Sequence, residues 1–403
     1  MRLLVVYRGL PWPIWEGYHL RVLHLFRRLR RRHEVHLLAL IHQEDQLEAL
    51  AELEAEGVFH SIHPLHLPKR SSWGRLRTNL GLGPVGALKA EYPGFPAMVR
   101  DKVESLIKSL NLDVAYVFDT WADIWFSDAL LLPTLLDVCD CRSFFYHRRL
   151  ERGGQSWLGR LRTRQLRFRF RCYERFLMHR YPMATVVSPL DRDYLLGLNP
   201  TAQVEIIPNG VDLEMFAPQP QVEEVPDNLI FFGNMDFLPN VDASIHFARQ
   251  IFPEIRRRRP EASFTVVGSN PLPEVQALAE LEGVEVTGRV EDLQPWIARA
   301  AMLVAPMRFG AGIKNKILEA MAMEKPVVSN ATGVEAMVDE VRSLLQVAQD
   351  DQEFADHVVA LLENPDRRRE LGRRGRLAMA KHHSWDAAAA AYEALFEQLR
   401  DRA

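Results

Sequence analysis

The sequence predicts an α/β chain of two Rossmann-like, doubly wound domains facing a cleft. Short apolar runs alternate with amphipathic stretches of helical spacing along most of the chain, the pattern of parallel βαβ units. The 403 residues exceed what one ordinary core accommodates. Near the middle the alternation is broken by Ile207-Pro208-Asn209-Gly210-Val211-Asp212 and a proline- and glutamate-rich run to Pro226, after which a second series begins. The reading is therefore an N-terminal domain over 1–208, a linker over 209–226, a second domain over 227–382 and a terminal segment, 383–403.

In the first half, strands are expected at Leu3–Tyr7, Val35–Leu40, Val114–Phe118, Thr134–Asp137 and Thr185–Ser188. A helix over His19–Arg32 places Leu20, Leu23, Phe26 and Leu29 on one face. Arginines recur through 142–180, with Leu158, Leu161, Leu166, Phe170, Tyr173 and Leu177 near helical spacing, which reads as one long basic helix. In the second half, strands are expected at Leu229–Phe232, Ser263–Val267, Val284–Thr287, Met302–Ala305 and Pro326–Ser329, with a helix over Ile313–Met323. The chain ends in an alanine-rich helix, His383–Arg402, with Trp385 near its start.

A net charge of −3 provides no overall field for nucleic acid, and no RNA-binding fingerprint is present. The basic 142–180 stretch reads either as a solvated or partner-facing helix or as a binding surface for anionic lipid head groups. The three cysteines are too few for a disulfide framework and fit a reducing compartment. The first residues read as a strand rather than a signal peptide, and no run is long enough to span a bilayer. The expectation is a cytoplasmic protein, peripheral on the inner face of the membrane if the basic stretch binds lipid.

The densest signal is Gly312-Ile313-Lys314-Asn315-Lys316-Ile317-Leu318-Glu319, a glycine turn entering a helix. A helix start offers free N–H groups and partial positive charge to a phosphate. Glu319, about two turns in, leans back toward that end and suits the ribose hydroxyls of a nucleotide. Lys314 and Lys316 oppose the helix dipole there, and an anionic partner accounts for their presence. In open α/β sheets, ligands sit beyond the carboxyl ends of the strands, where the loops carrying Gly17 and Gly312 fall.

Three motifs together resemble the retaining GT-B glycosyltransferases of family 4. They are the first strand followed by Pro11-Trp12-Pro13-Ile14-Trp15-Glu16-Gly17 and a helix with Arg21, the segment Ile207–Asp212, and the run Gly312–Val328 with its Asn-Lys-x-Leu-Glu core. The resemblance implies transfer of a sugar from a nucleotide-diphosphate sugar to an acceptor with retained configuration. It places the donor on the second domain and the acceptor on the first, and has the last helix cross back to the first domain. It implies a glycan, polysaccharide or lipid-linked acceptor. No metal or other cofactor is expected: Asp191-Arg192-Asp193 lies at a helix start rather than at a plausible strand end.

On this resemblance Glu319, Lys316, Lys314, Asn315, Gly312, Ile313, Arg308, Arg289, Val290, Asn234 and Gly17 are the candidate donor contacts. Among the nearby asparagines, Asn209 and Asn240 are alternatives to Asn234. Asp140, Asp137 and Lys316 are the candidate catalytic groups, and Arg21, Trp15 and His147 the candidate acceptor contacts. Two departures stand out. Many family members carry an acid where this chain has Ala311, and an Arg and a Lys where it has Gly233–Asn240. Arg308, Lys314 or Lys316 is therefore expected to provide the charge for the diphosphate. Two other readings share the architecture: a nucleotide-sugar epimerase, and a non-catalytic scaffold of envelope assembly.

Overall fold

The computed structural model describes residues 1–13, 17–41, 47–68, 92, 94–126, 129, 131–310 and 312–402. The chain divides into two units, Met1–Pro208 with Trp385–Ala403, and Asn209–Ser384.

The first unit is built on a parallel sheet of β1 (Arg2–Arg8), β2 (Glu34–Ile41), β3 (Ser61–His66), β4 (Val114–Phe118), β5 (Thr134–Cys139), β6 (Met183–Val186) and β7 (Val204–Ile206), in the order β3-β2-β1-β4-β5-β6-β7. Val5 of β1 sits opposite Leu37 of β2 and Tyr116 of β4. Leu3, Val5 and Tyr7 enter one apolar cluster while Leu4 and Val6 enter the other. Alternate residues of a strand point to opposite faces, so a continuous apolar run means a strand covered on both sides.

The terminal helix Trp385–Asp401 belongs to this unit, where Trp385, Tyr392, Phe396 and Leu399 pack into the cluster under Val5 and Phe26. Trp385 stacks on His24 with ring centroids 5.3 Å apart.

The expected single basic helix is two. Helix Arg142–Arg152 ends at Gly153, which takes a left-handed φ of 71°, and Gly154 follows at 73°. A second helix, Trp157–Arg180, starts at Ser156, whose side chain accepts from Gly159 N. Paired glycines with positive φ break a helix that arginine spacing alone appears to continue.

The second unit carries β8 (Asn228–Phe232), β9 (Ser263–Val267), β10 (Val284–Gly288), β11 (Met302–Ala305), β12 (Val327–Asn330) and β13 (Gln346–Ala348), all parallel, in the order β10-β9-β8-β11-β12-β13. The segment 209–226, read from sequence as a linker, is part of this unit. Val211 and Phe216 are buried in its core. Arg376 donates to the carbonyls of Leu213 and Phe216 at 2.9 and 3.0 Å, and to that of Ala322. Two apolar anchors and two backbone acceptors bind this stretch, whose proline and glutamate content reads as an interdomain linker. Among the described residues, no helix is long and apolar enough to cross a membrane.

Candidate functional site

The first strand of the second unit, β8, lies between β9 and β11, so the chain winds outward from it in both directions. The carboxyl ends of β8 and β11 form the switch point where such sheets hold ligands. The turns there run through Gly233 (φ 146°), Gly310 (φ 135°) and Gly312 (φ 66°). A Cβ on Gly233 would lie 2.8 Å from Asn240 Nδ2 and 3.3 Å from Lys316 Nζ, so the turn closes directly over these two side chains.

Lys316 is the centre of the site. Only 9% of it is exposed, and its Nζ donates to Asn240 Oδ1 at 2.5 Å while lying 4.1 Å from the Phe231 ring centroid. Asn240 is held in turn by its Nδ2, which donates to the Asn234 carbonyl at 2.9 Å. Burial pulls the Lys316 ammonium down to about 7; attraction from Glu319 opposes this and repulsion from Lys314 adds to it. Glu319, one turn further along the helix Asn315–Ala322, is half-buried, and burial pushes its carboxyl up to about 7 against the pull of Lys316. Among the described residues its carboxylate makes no hydrogen bond or ion pair. The site thus presents an amine and a carboxylate that both change charge near neutrality.

The helix begins two residues later than the spacing suggested. Gly312 and Ile313 are loop, and Lys314, extended at φ −94°, is its N-cap. Lys314 Nζ folds back onto the Gly312 carbonyl at 2.8 Å. Asn315 Oδ1 accepts from Asn209 Nδ2 at 2.9 Å, and Ile313 packs against the core. Ala311 lies outside the described residues.

Arg308 departs from the expectation. Its Nε and Nη2 donate to both oxygens of Asp242 at 2.8 and 2.7 Å, so its charge is already matched by a carboxylate in a two-pronged pair. That leaves Lys316 and Lys314 as the basic groups at the turn. Arg289 is exposed and follows the edge strand β10, with β9 between it and β8, while Val290 packs on the core. Asn234 turns its Oδ1 toward Ser269 Oγ at 3.4 Å, and its main contribution is the carbonyl that holds Asn240.

In the first unit, Arg21, expected as an acceptor contact, and Asp137, expected as a catalytic group, lie in the core instead. They are 1% and 0% exposed. Asp137 Oδ2 accepts from Arg21 Nε at 2.8 Å and from the Tyr116 and Tyr392 hydroxyls at 2.6 Å each; its Oδ1 accepts from Cys139 N. Arg21 Nη2 also donates to the Ile207 carbonyl at 3.0 Å. Burial pushes both tyrosine hydroxyls well above the ordinary phenol range, which keeps them protonated and donating. Gly17 is the first residue of the helix Gly17–Leu29, and Trp15 lies outside the described residues. His147 is half-buried and 3.3 Å from Glu151 one turn along.

Asp140 is half-buried at the end of β5, among Tyr18, Cys139 and Arg142, whose ionisation it influences. Arg142 Nη2 donates to Asp119 Oδ2 at 2.6 Å, and its guanidinium lies 5.5 Å from the Tyr18 ring. Asp119 follows β4 directly and takes a left-handed φ of 67°. These groups sit at the ends of β4 and β5, beside the switch point of the first sheet between β1 and β4. A non-glycine residue held in that conformation at a strand end is a recurrent mark of a working position.

Residues 16–215 match the family model Glycosyltransferase Family 4, and residues 226–364 match Glycosyl transferases group 1. The chain belongs to the group 1, family 4 glycosyltransferases. A D-inositol 3-phosphate glycosyltransferase from Kribbella flavida is 33% identical over 200 residues, covering 44% of this chain and 47% of that protein. The chain spans about half the length of the curated relatives it matches. Among solved structures, a sucrose-phosphate synthase from Thermosynechococcus elongatus superposes with a TM-score of 0.70 at 17% identity, over 100% of this chain and 99% of that one. HepE from Anabaena, solved with UDP-glucose, superposes with a TM-score of 0.68 at 13% identity, over 99% and 100% of the two chains. These likenesses establish the GT-B architecture of two Rossmann-like domains.

Within this family 4 chain, sequence reasoning weighed Asn240 below Asn234 and missed Phe231, Asp242 and the Asp119–Arg142 pair. Asp119 had one usable signal, its place immediately after the apolar run of β4. Arg142 was hidden among the many arginines that follow it.

Proposed function

We propose that the chain transfers a sugar from a nucleotide-diphosphate sugar to a hydroxyl of a glycan, polysaccharide or lipid-linked acceptor, with retention of configuration and no metal requirement. The observation that carries this reading is the buried amine of Lys316, three residues from the half-buried carboxylate of Glu319, at the switch point of the second sheet. The nucleotide complex of HepE, on the same architecture, supports a nucleotide-sugar donor.

In this mechanism the bond between the anomeric carbon and the diphosphate oxygen breaks, and negative charge grows on the leaving diphosphate. Lys316 and Lys314 stabilise that charge, and Glu319 accepts hydrogen bonds from the ribose hydroxyls. The acceptor oxygen bonds to the anomeric carbon on the face the diphosphate leaves, and its proton passes to a diphosphate oxygen. No strong protein base is needed, so catalysis rests on positioning and charge stabilisation. Asp140, in the first unit, is the group we assign to the acceptor, with the Asp119–Arg142 pair beside it.

A thermal-shift screen with UDP, GDP, ADP and TDP identifies the base, because a ligand of the folded state raises its stability. Glu319→Ala should weaken the preferred nucleotide about ten- to a hundredfold, the loss of a hydrogen bond to a charged group. Unchanged affinity in that variant would overturn the assignment. Transfer monitored by NMR should give a product with the donor's anomeric configuration, at a rate unaffected by EDTA.

Proton linkage gives an independent check. At pH 8 the amine of Lys316, held down to about 7, is mostly neutral in the free protein. A bound diphosphate favours its charged form, so binding takes up as much as about one proton. Glu319, raised to about 7, is already mostly ionised at that pH and contributes little. Below pH 6 the sign reverses: Lys316 is already charged, and ribose hydroxyls that favour the Glu319 carboxylate release a proton. Calorimetry at pH 8 in two buffers of different ionisation heat should give different apparent enthalpies; equal values count against the assignment.

A further inference from the structure

The helix Trp157–Arg180 has two apolar faces, and among the described residues only one of them is packed against the protein. Phe170, Tyr173 and Leu177 point into the first unit's core. Trp157, Leu158, Leu161, Phe168 and Phe176 are 74, 58, 58, 67 and 48% exposed. At 3.6 residues per turn these five fall within about 100° of one another, on the side roughly opposite the core face. No other described helix exposes as many large apolar side chains.

The charge around this stripe is of one sign. The helix holds eight arginines and a single acid, Glu174. Glu174 is buried, accepting from Ser143 N at 3.2 Å and from the Ser143 hydroxyl, so it adds nothing to the outer surface. Arg160, Arg164 and Arg171 are exposed along one border of the stripe and Arg162 along the other. Helices that lie in a membrane interface combine an apolar stripe with flanking basic residues that reach the head groups.

We propose that this outer face of Trp157–Arg180 docks on an anionic lipid bilayer, with the helix lying in the plane of the interface. The stripe from Trp157 to Phe176 runs about 28 Å along the axis, long enough for sustained contact. Charge complementarity selects the occupant. A neutral protein partner would account for the apolar stripe but not for the one-sided charge, and a polyanion in water would account for the arginines but not for the stripe. This docking is independent of the donor assignment.

Cys172 lies on the same face and is exposed, whereas Cys139 and Cys141 are buried, so a polarity-sensitive fluorophore can be attached there selectively. The full chain should co-sediment with vesicles of phosphatidylcholine plus phosphatidylglycerol, and not with phosphatidylcholine alone. The fluorophore should shift to the blue on binding. Replacing Arg160, Arg164 and Arg171 by glutamine should weaken binding by roughly fivefold per arginine at low salt. Leu161→Ser with Phe168→Ser should abolish the blue shift and leave the circular dichroism spectrum and the cooperative thermal unfolding of the free protein unchanged, which shows that the variant is folded. Failure to bind anionic vesicles, equal binding to neutral ones, or affinity unchanged in both variants would overturn the proposal. So would a blue shift without lipid that grows with protein concentration, which marks a second copy as the occupant. Capture of single-stranded RNA without vesicle binding would overturn it as well.

Discussion

Asp137→Ala should destabilise the first unit by about 3–5 kcal/mol, the usual cost of stranding one partner of a buried ion pair. The substitution leaves the Arg21 guanidinium at 1% exposure without its carboxylate, and removes the acceptor of two buried tyrosine hydroxyls. Tyr392→Phe deletes one hydroxyl and keeps the charges paired, so about 1 kcal/mol is expected. Urea unfolding followed by the near-UV signal measures both, with the transition of each unit treated separately because two units need not unfold together. Replacing Arg21 and Asp137 together by Met and Leu should recover much of the loss, because no charge is then left buried. A small effect of Asp137→Ala would mean that water reaches this carboxylate and would reopen its assignment as a catalytic group.

Lys316→Met should reduce kcat by about 10²–10³, the scale seen when a preorganised group aimed at developing charge is removed. Methionine preserves the contact with Phe231 and removes the amine, so the loss reports charge rather than packing. Lys316→Arg should fail to rescue. The amine is enclosed by Asn240, the Phe231 ring and the Gly233 turn, and a planar fork is larger than that space. Lys314→Met should have a weaker effect, since its amine is turned onto the Gly312 carbonyl. Asn240 acts through Lys316. Asn240→Ala should lower kcat with little change in KM and flatten the proton uptake at pH 8. Steady-state kinetics with a saturating acceptor separates these outcomes, and a Lys316→Met enzyme of normal kcat would remove the proposed centre.

The architecture was legible because parallel strands covered on both faces are written as uninterrupted apolar runs. Val114–Phe118, Ser263–Val267 and Met302–Ala305 have the same limits in sequence and structure. β3, reading Ser-Ile-His-Pro-Leu-His, and the three-residue β7 and β13 carry no such run and were not legible. Lys316 and Glu319 could be picked out because a helix start with basic residues and one following acid is unusual. Arg21 and Asp137 show the limit of that reasoning. A charge beside a glycine loop reads as solvent-facing, and only the return of Tyr392, 255 residues beyond Asp137, shows it to be enclosed. The pairing of Arg308 was not legible because its partner, Asp242, comes from a helix 66 residues earlier.

The placement of Trp385–Asp401 in the first unit has a consequence for how the chain is made. A ribosome delivers residues 1–208 first, but the cluster under Val5 and Phe26 stays open until Trp385, Tyr392 and Phe396 arrive. The second unit, Asn209–Ser384, is continuous and is complete as soon as Ser384 has left the exit tunnel. The usual order, in which amino-terminal domains fold first during synthesis, is therefore inverted here. A chain ended by a stop codon after Ser384 and released from the ribosome should contain a protease-resistant second half and a first half still open to cleavage and to chaperones.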